Sequence, residues 1–267
     1  MSTATDALPA SVRGNSANSI GWLLVALFAF CNLAPALTDG MPPFLSLLGS
    51  FTLVAFGIVH GASRYGLNRM LIAVAIVFVL GMIIENISVV TGFPFGFFQH
   101  TDIFGPKLIA IPYLIGFLYF TLTYTGWAIA NLLLGDADAD GKPTSILALP
   151  LVGAFIPAAM DATFDPIGAT LNHGWIFKGG GGFYGVPLEN FLGIMFVNYV
   201  CYQIFMLYLA RKPAAVRSGQ SIGWQLQPVA VLGVFAITPL ILMATKPDVT
   251  ATDDGGAIWR SSHMYEG

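Results

Sequence analysis

Charge is what this sequence has least of. Only 9% of its 267 residues are charged, where a soluble domain carries roughly 25%. Such a chain is not held in solution by its own surface. The formal net charge is -3 and there is no basic run, which excludes nucleic acid as a partner. Two cysteines, Cys31 and Cys201, both lie inside apolar runs, so there is no disulfide framework. Four scattered histidines cannot form the histidine boxes of a membrane di-iron desaturase. No Gly-x-Gly-x-x-Gly follows a strand, so a dinucleotide domain is excluded. The run Gly179–Gly182 is not followed by Lys-Ser/Thr and is not a phosphate loop. The last apolar segment contains no lysine, which excludes a retinal Schiff base there.

What the chain does have is oil. Apolar residues make up 56% and the mean hydropathy is +0.75. A spanning helix needs about 20 mostly apolar residues. Seven such segments are legible: Ile20–Leu37, Phe44–His60, Met70–Val90, Ile109–Leu134, Ile146–Phe164, Leu188–Ala210 and Pro228–Ala244. The expected fold is therefore an all-α, polytopic transmembrane helix bundle. Residues 20–245 form the helical domain. Residues 1–19 are polar, lack a basic-then-apolar signal pattern and read as a disordered tail. Residues 246–267 read as a second polar tail.

The segment Thr38-Asp39-Gly40-Met41-Pro42-Pro43 is a strong turn signal between the first two spans. Asp136, Asp138 and Asp140 have a spacing that hints at a calcium loop. No acidic residue closes it, so a solvated loop is expected. The N-terminal side carries Arg13, Arg64, Arg69, Lys142, Arg211, Lys212 and Arg217. The other side carries Lys107, Lys178, Lys246 and Arg260. That bias favours a cytoplasmic N-terminus in the cell membrane.

A charge placed in lipid costs about 2.5–3.5 kcal/mol on insertion scales, so carboxylates within or at the ends of spans are functional suspects. There are four: Glu85, Asp161, Asp165 and Glu189. An up-and-down helix order brings all of them to the end of the bundle opposite the N-terminus. Asp161 and Asp165 are spaced i, i+4 and share a helix face. Like charges there repel, so one is expected to keep its proton. Asp165 precedes Pro166, which predicts that the helix ends there. Competing structural roles are helix termination for Asp165, a pairing with Asn86 for Glu85, and a helix N-terminal preference for Glu189.

Two long connections reach the same end. One runs from Thr91 to Asp102 and holds Phe93, Phe95, Phe97, Phe98 and His100. The other runs from Gly168 to Pro187 and holds His173, Trp175, the four glycines and Tyr184. Both are aromatic and rich in glycine, unlike the loops on the other side. His60 and His100 read as interfacial residues, and Trp175 and Tyr184 as either interface anchors or pocket walls.

Two blocks of residues resemble a known family. Glu85, Thr91-Gly92-Phe93-Pro94-Phe95-Gly96 and Ile111-Pro112 are similar to the first signature of the membrane carotenoid 1',2'-hydratases, the bisanhydrobacterioruberin hydratase type. Asp161, Asp165-Pro166, Trp175-Ile176-Phe177, Tyr184-Gly185-Val186-Pro187 and Asn190-Phe191-x-Gly193 resemble the second. The blocks span residues 80–195. The resemblance implies acid-catalysed addition of water to the terminal double bond of a lycopene-like ψ end. It implies Asp161 as general acid, with Asp165 or Glu85 orienting or deprotonating the water. Trp175, Tyr184, His173, Asn190, Phe95 and Asn86 would bind substrate, and the aromatic faces would stabilise a cation. No cofactor and no metal is implied. The partners are a lipid-soluble carotenoid, membrane lipid and, as neighbours, other carotenoid enzymes. The alternatives are a carotenoid cyclase, an intramembrane prenyltransferase, and a pigment-binding or transport protein.

Overall fold

The computed structural model describes residues 10–39, 41–42, 44–211, 216 and 220–266, with side chains from residue 18 onward. Residues 1–9 of the expected tail, Gly40 and Pro43 of the first turn, and the side chains of Arg13, Lys212 and Arg217 lie outside what is described. In chain order the elements are α1 (Ala10–Leu37), α2 (Phe44–Tyr65), α3 (Leu67–Thr91), β1 (Phe98–His100), β2 (Lys107–Leu108), β3 (Ile111–Pro112) and α4 (Tyr113–Leu134). Then follow α5 (Pro143–Asp165), β4 (Trp175–Phe177), α6 (Leu188–Ala210), α7 (Ile222–Thr245), β5 (Thr250–Thr252), β6 (Ile258–Arg260) and α8 (Ser261–Glu266). Helices α1 to α7 are each long and apolar enough to cross a membrane. The chain is a multi-pass, all-α membrane bundle.

The spans follow the hydropathy, with departures that have local causes. α4 starts at Tyr113 rather than Ile109, because β2 and β3 pair as a tight hairpin turned at Ile109, whose φ is 62°. α7 starts at Ile222 rather than Pro228, because Ser221 caps it by accepting from the Trp224 amide at 3.2 Å. α1 starts at Ala10, within the stretch expected as tail.

α4 is the centre of the bundle. It is the least apolar of the seven spans and the most fully buried inside the bundle. A helix walled off by protein has no need of a lipid-compatible face, so α4 carries Thr121, Thr123, Thr125, Tyr119, Tyr124 and Asn131 inside. α5 packs against α4 and α6, α3 against α4 and α6, and α1 against α2 and α7.

At the N-terminal end of the bundle the acidic loop departs from the solvated reading. Asp138 is buried and pairs with Arg64, whose Nε donates to it at 3.0 Å. Tyr65 also donates to Asp138, and Trp127 Nε1 donates to the Tyr65 hydroxyl at 2.8 Å. Asp136 approaches Arg64 at 3.0 Å. A guanidinium at the end of a span has to be neutralised, and this loop supplies the counter-charge. His60 is buried too, against the interfacial expectation: it stacks on Trp224 at 3.8 Å. Asp138→Ala is expected to destabilise the protein by about 3 kcal/mol, the lower end for breaking a buried pair because Asp136 remains. Asp140→Ala, which removes the acceptor for the Lys142 amide at 2.9 Å and the Ser145 hydroxyl at 2.7 Å at the start of α5, should cost only about 1 kcal/mol. Equilibrium unfolding in detergent measures both.

The C-terminal stretch, expected as a polar tail, folds into the β5–β6 hairpin and α8. Asp248 clamps it, accepting from the Ser262 amide at 3.1 Å and from Arg260 Nε at 2.8 Å. These donors, the Ser262 amide first, hold its carboxyl down at about 2. Ser261 and Met264 are buried against the bundle, so the fold orders a segment whose composition alone reads as solvated.

Candidate active site

The two long connections form one cap. β1 and β4 pair antiparallel in the register Phe98–Phe177, Gln99–Ile176, His100–Trp175. Strand alternation then sends Phe98, His100, Trp175 and Phe177 to one face, and all four line a cavity between the cap and the bundle. The joint continues at Thr101, whose amide donates to the Gly174 carbonyl at 3.1 Å. The Phe95 amide donates to Ser88 Oγ on α3 at 3.0 Å, and Ser88 in turn donates to the Gly96 carbonyl at 3.0 Å. Gly193 on α6 makes room for this loop: a Cβ there would lie 2.6 Å from the Phe95 ring and 2.7 Å from the Pro94 carbonyl. Gly181 is not a flexible element either, since a Cβ there would lie 2.1 Å from the Val186 backbone.

The cavity has a volume of about 230 Å³, room for the end of a chain molecule and not for a whole polyene. Glu85, Asp161 and Asp165 all line it. Asn190, in the first turn of α6, donates from Nδ2 to Asp161 Oδ2 at 2.7 Å and to Asp165 Oδ2 at 2.6 Å. The two carboxyls therefore share one amide nitrogen as donor. The α-helix ends at Asp165 as Pro166 predicts, yet the backbone does not break. It widens into a π-helical turn over Pro166–Leu171, which absorbs the missing proline N–H and keeps Asp165 aimed inward.

Glu85 does not pair with Asn86. Its Oε2 lies 3.1 Å from His100 Nε2. Asn86 instead accepts from the Ala110 amide at 3.0 Å and holds the β2–β3 hairpin. Of the residues singled out from sequence, Asp161, Asp165, Glu85, Trp175, Asn190 and Phe95 come together at the cavity, while His173, Tyr184 and Asn86 do not line it. His173 is exposed. Tyr184 packs against Trp259 of β6 at 5.6 Å. Glu189 is exposed in the first turn of α6. His100, Tyr119, Phe98 and Phe104 also line the wall and were not legible as site residues. The alternation Phe98-Gln99-His100 was the available signal for His100, because it marks a strand with phenylalanine and histidine on one face. Among the described residues, no three or more His, Cys, Asp or Glu side chains group so as to hold a metal ion.

A family model described as "Carotenoid biosynthesis protein" matches residues 41–252. The chain belongs to the carotenoid biosynthesis protein family. The matched stretch of this carotenoid biosynthesis protein contains every residue of the cavity wall named above. The chain is also similar to the bisanhydrobacterioruberin hydratase of Haloarcula japonica, with 27% identity over 164 residues. That match covers 61% of this chain and 53% of the relative, so the chain spans about half the length of the relative it matches. No solved structure matches it.

Proposed function

We propose that this carotenoid biosynthesis protein adds water across the terminal 1',2' double bond of an acyclic, lycopene-like ψ end group. The observation that carries this reading is the Asp161–Asp165 pair, bridged by Asn190 inside a cavity whose other walls are mainly aromatic and aliphatic. The name of the Haloarcula relative agrees with it.

The chemistry demands such an arrangement. An unactivated alkene is protonated only by an acid that is neutral when the substrate arrives and is kept away from bulk water. Two adjacent carboxyls removed from water keep one proton between them. Asn190 holds an oxygen of each, which sets their geometry before the substrate binds. Asp161 donates to C2', a tertiary cation forms at C1', and water attacks it. Acid–base catalysis contributes about 10²–10⁴-fold, which is small for this step. The rest comes from stabilising the cation. Trp175 and Phe104 lie 6.0 Å apart, and Phe98 and Phe177 also 6.0 Å apart. Their faces offer negative quadrupole charge without a nucleophile that would trap the cation.

The position of the site at one end of the spans suits a substrate dissolved in lipid and a co-substrate dissolved in water. The Lys and Arg distribution favours a cytoplasmic N-terminus and so an outward-facing cavity. Expression in a lycopene-accumulating host tests the activity. The expected pigment is heavier than lycopene by one water. Pigment of unchanged mass, whether cyclised or untouched, overturns the reading.

A further inference from the structure

We propose that His100 is the base that takes the proton from the attacking water, with Glu85 as its positioning residue. This rests on the hydratase reading above and assigns the half of the reaction that the aspartate pair leaves open.

The cavity holds two sets of polar groups. Asn190 donates to both Asp161 and Asp165. Glu85 of α3, His100 of β1 and Tyr119 of α4 also line the wall, with Glu85 against His100. This second set has bonding capacity to spare. His100 Nδ1 and the Tyr119 hydroxyl are buried and have no hydrogen-bond partner among the described residues. A buried polar atom is normally satisfied, so these two point to a polar ligand small enough to share the cavity with a hydrocarbon. Water is that ligand.

The histidine is oriented for the task. Its Nε2 lies 3.1 Å from Glu85 Oε2. A carboxylate there holds the ring proton on Nε2 and leaves the Nδ1 lone pair as an acceptor. The backbone is held as well: Lys107 Nζ donates to the His100 carbonyl at 2.8 Å, and β1 pairs with β4. Glu85 also supplies the counter-charge for the imidazolium once it forms. Rings of Phe98 and Trp175 flank the imidazole at 5.4 and 6.1 Å.

The step balances. The π pair of the alkene takes the Asp161 proton to form the C2'–H bond and leaves C1' positive. A water lone pair forms the C1'–O bond. The proton of that oxygen passes to His100 Nδ1 while its electron pair stays on oxygen. The imidazolium later returns the proton to the aspartate pair, and the net change is one water added. A base distinct from the acid matters because the cation has a competing fate: it can lose a proton back to Asp161 and revert to an alkene. A base on the water side favours capture over reversion.

The test uses the full chain in membranes supplied with lycopene in D₂O. The wild type should form hydrate carrying deuterium at C2'. His100→Gln should still protonate the end group. Its recovered lycopene should carry deuterium, an isomer with the double bond moved onto a terminal methyl carbon should appear, and hydrate should fall by about 10²-fold. Glu85→Gln, which keeps a hydrogen-bonding partner and removes the charge, should shift the same ratio by less. Asp161→Asn should give neither exchange nor hydrate. Wild-type hydrate from His100→Gln overturns the proposal. So does an equal fall of hydrate and exchange in both His100→Gln and Glu85→Gln, which marks a structural role. Absence of hydrate from the wild type itself overturns the hydratase reading instead, and with it this assignment.

Discussion

Asp161→Asn is expected to leave lycopene unhydrated while the protein still inserts and folds. Asparagine has the shape of aspartate and retains an oxygen that can accept from Asn190, so the contact now made at 2.7 Å survives. What it lacks is a proton acidic enough to give to carbon. The expected loss of product is at least about 10²–10⁴-fold, the range for removing a general acid. The measurement is the pigment mass spectrum, with membrane-inserted protein quantified in parallel. Asp165→Asn is the informative companion. It leaves Asp161 its carboxyl but removes the neighbour with which the proton is shared, so its effect should be smaller. Full hydration by Asp161→Asn would take Asp161 out of the acid role.

Asn190→Leu carries the second large effect. One amide group now serves two buried carboxyls, at 2.7 and 2.6 Å. Leucine fills a similar volume and donates nothing. Leaving buried groups without their donor costs about 1–3 kcal/mol of stability, and the carboxyls lose their fixed geometry. Hydration should fall by about 10²-fold, comparable to losing one preorganised donor. A lowered unfolding midpoint together with the slower product formation is the expected pair of observations. Wild-type activity in Asn190→Leu would show that the bridge does not organise the acid.

The membrane-embedded character of the chain was open to reading because hydropathy is a local property. Each span announces itself within its own residues, and lipid allows few other structures for such segments. The acidic residues were legible for a related reason: charge is so rare here that Glu85, Asp161 and Asp165 stand out. Partners were a different matter. Glu85 has Asn86 beside it in sequence and His100 beside it in space. His100 was passed over because a lone histidine in a loop has no local mark of burial. Tyr184 and His173 were selected from the second connection by residue type and by resemblance, and neither lines the cavity: Tyr184 packs on Trp259 and His173 is exposed. Asp138 illustrates the converse error. It sits in a sequence that looks solvated, and a charged side chain on α2 draws it inside.

The sequence by itself determined the medium, the number of spans and the end of the bundle at which polar groups gather, since all three follow from spacing along one chain. Only the tertiary structure decided which groups face each other. The β1–β4 pairing joins segments more than seventy residues apart, and the Asn190 bridge joins α6 to α5. Contacts of that range depend on how neighbouring helices pack and on where each helix widens or stops, and no local propensity encodes them.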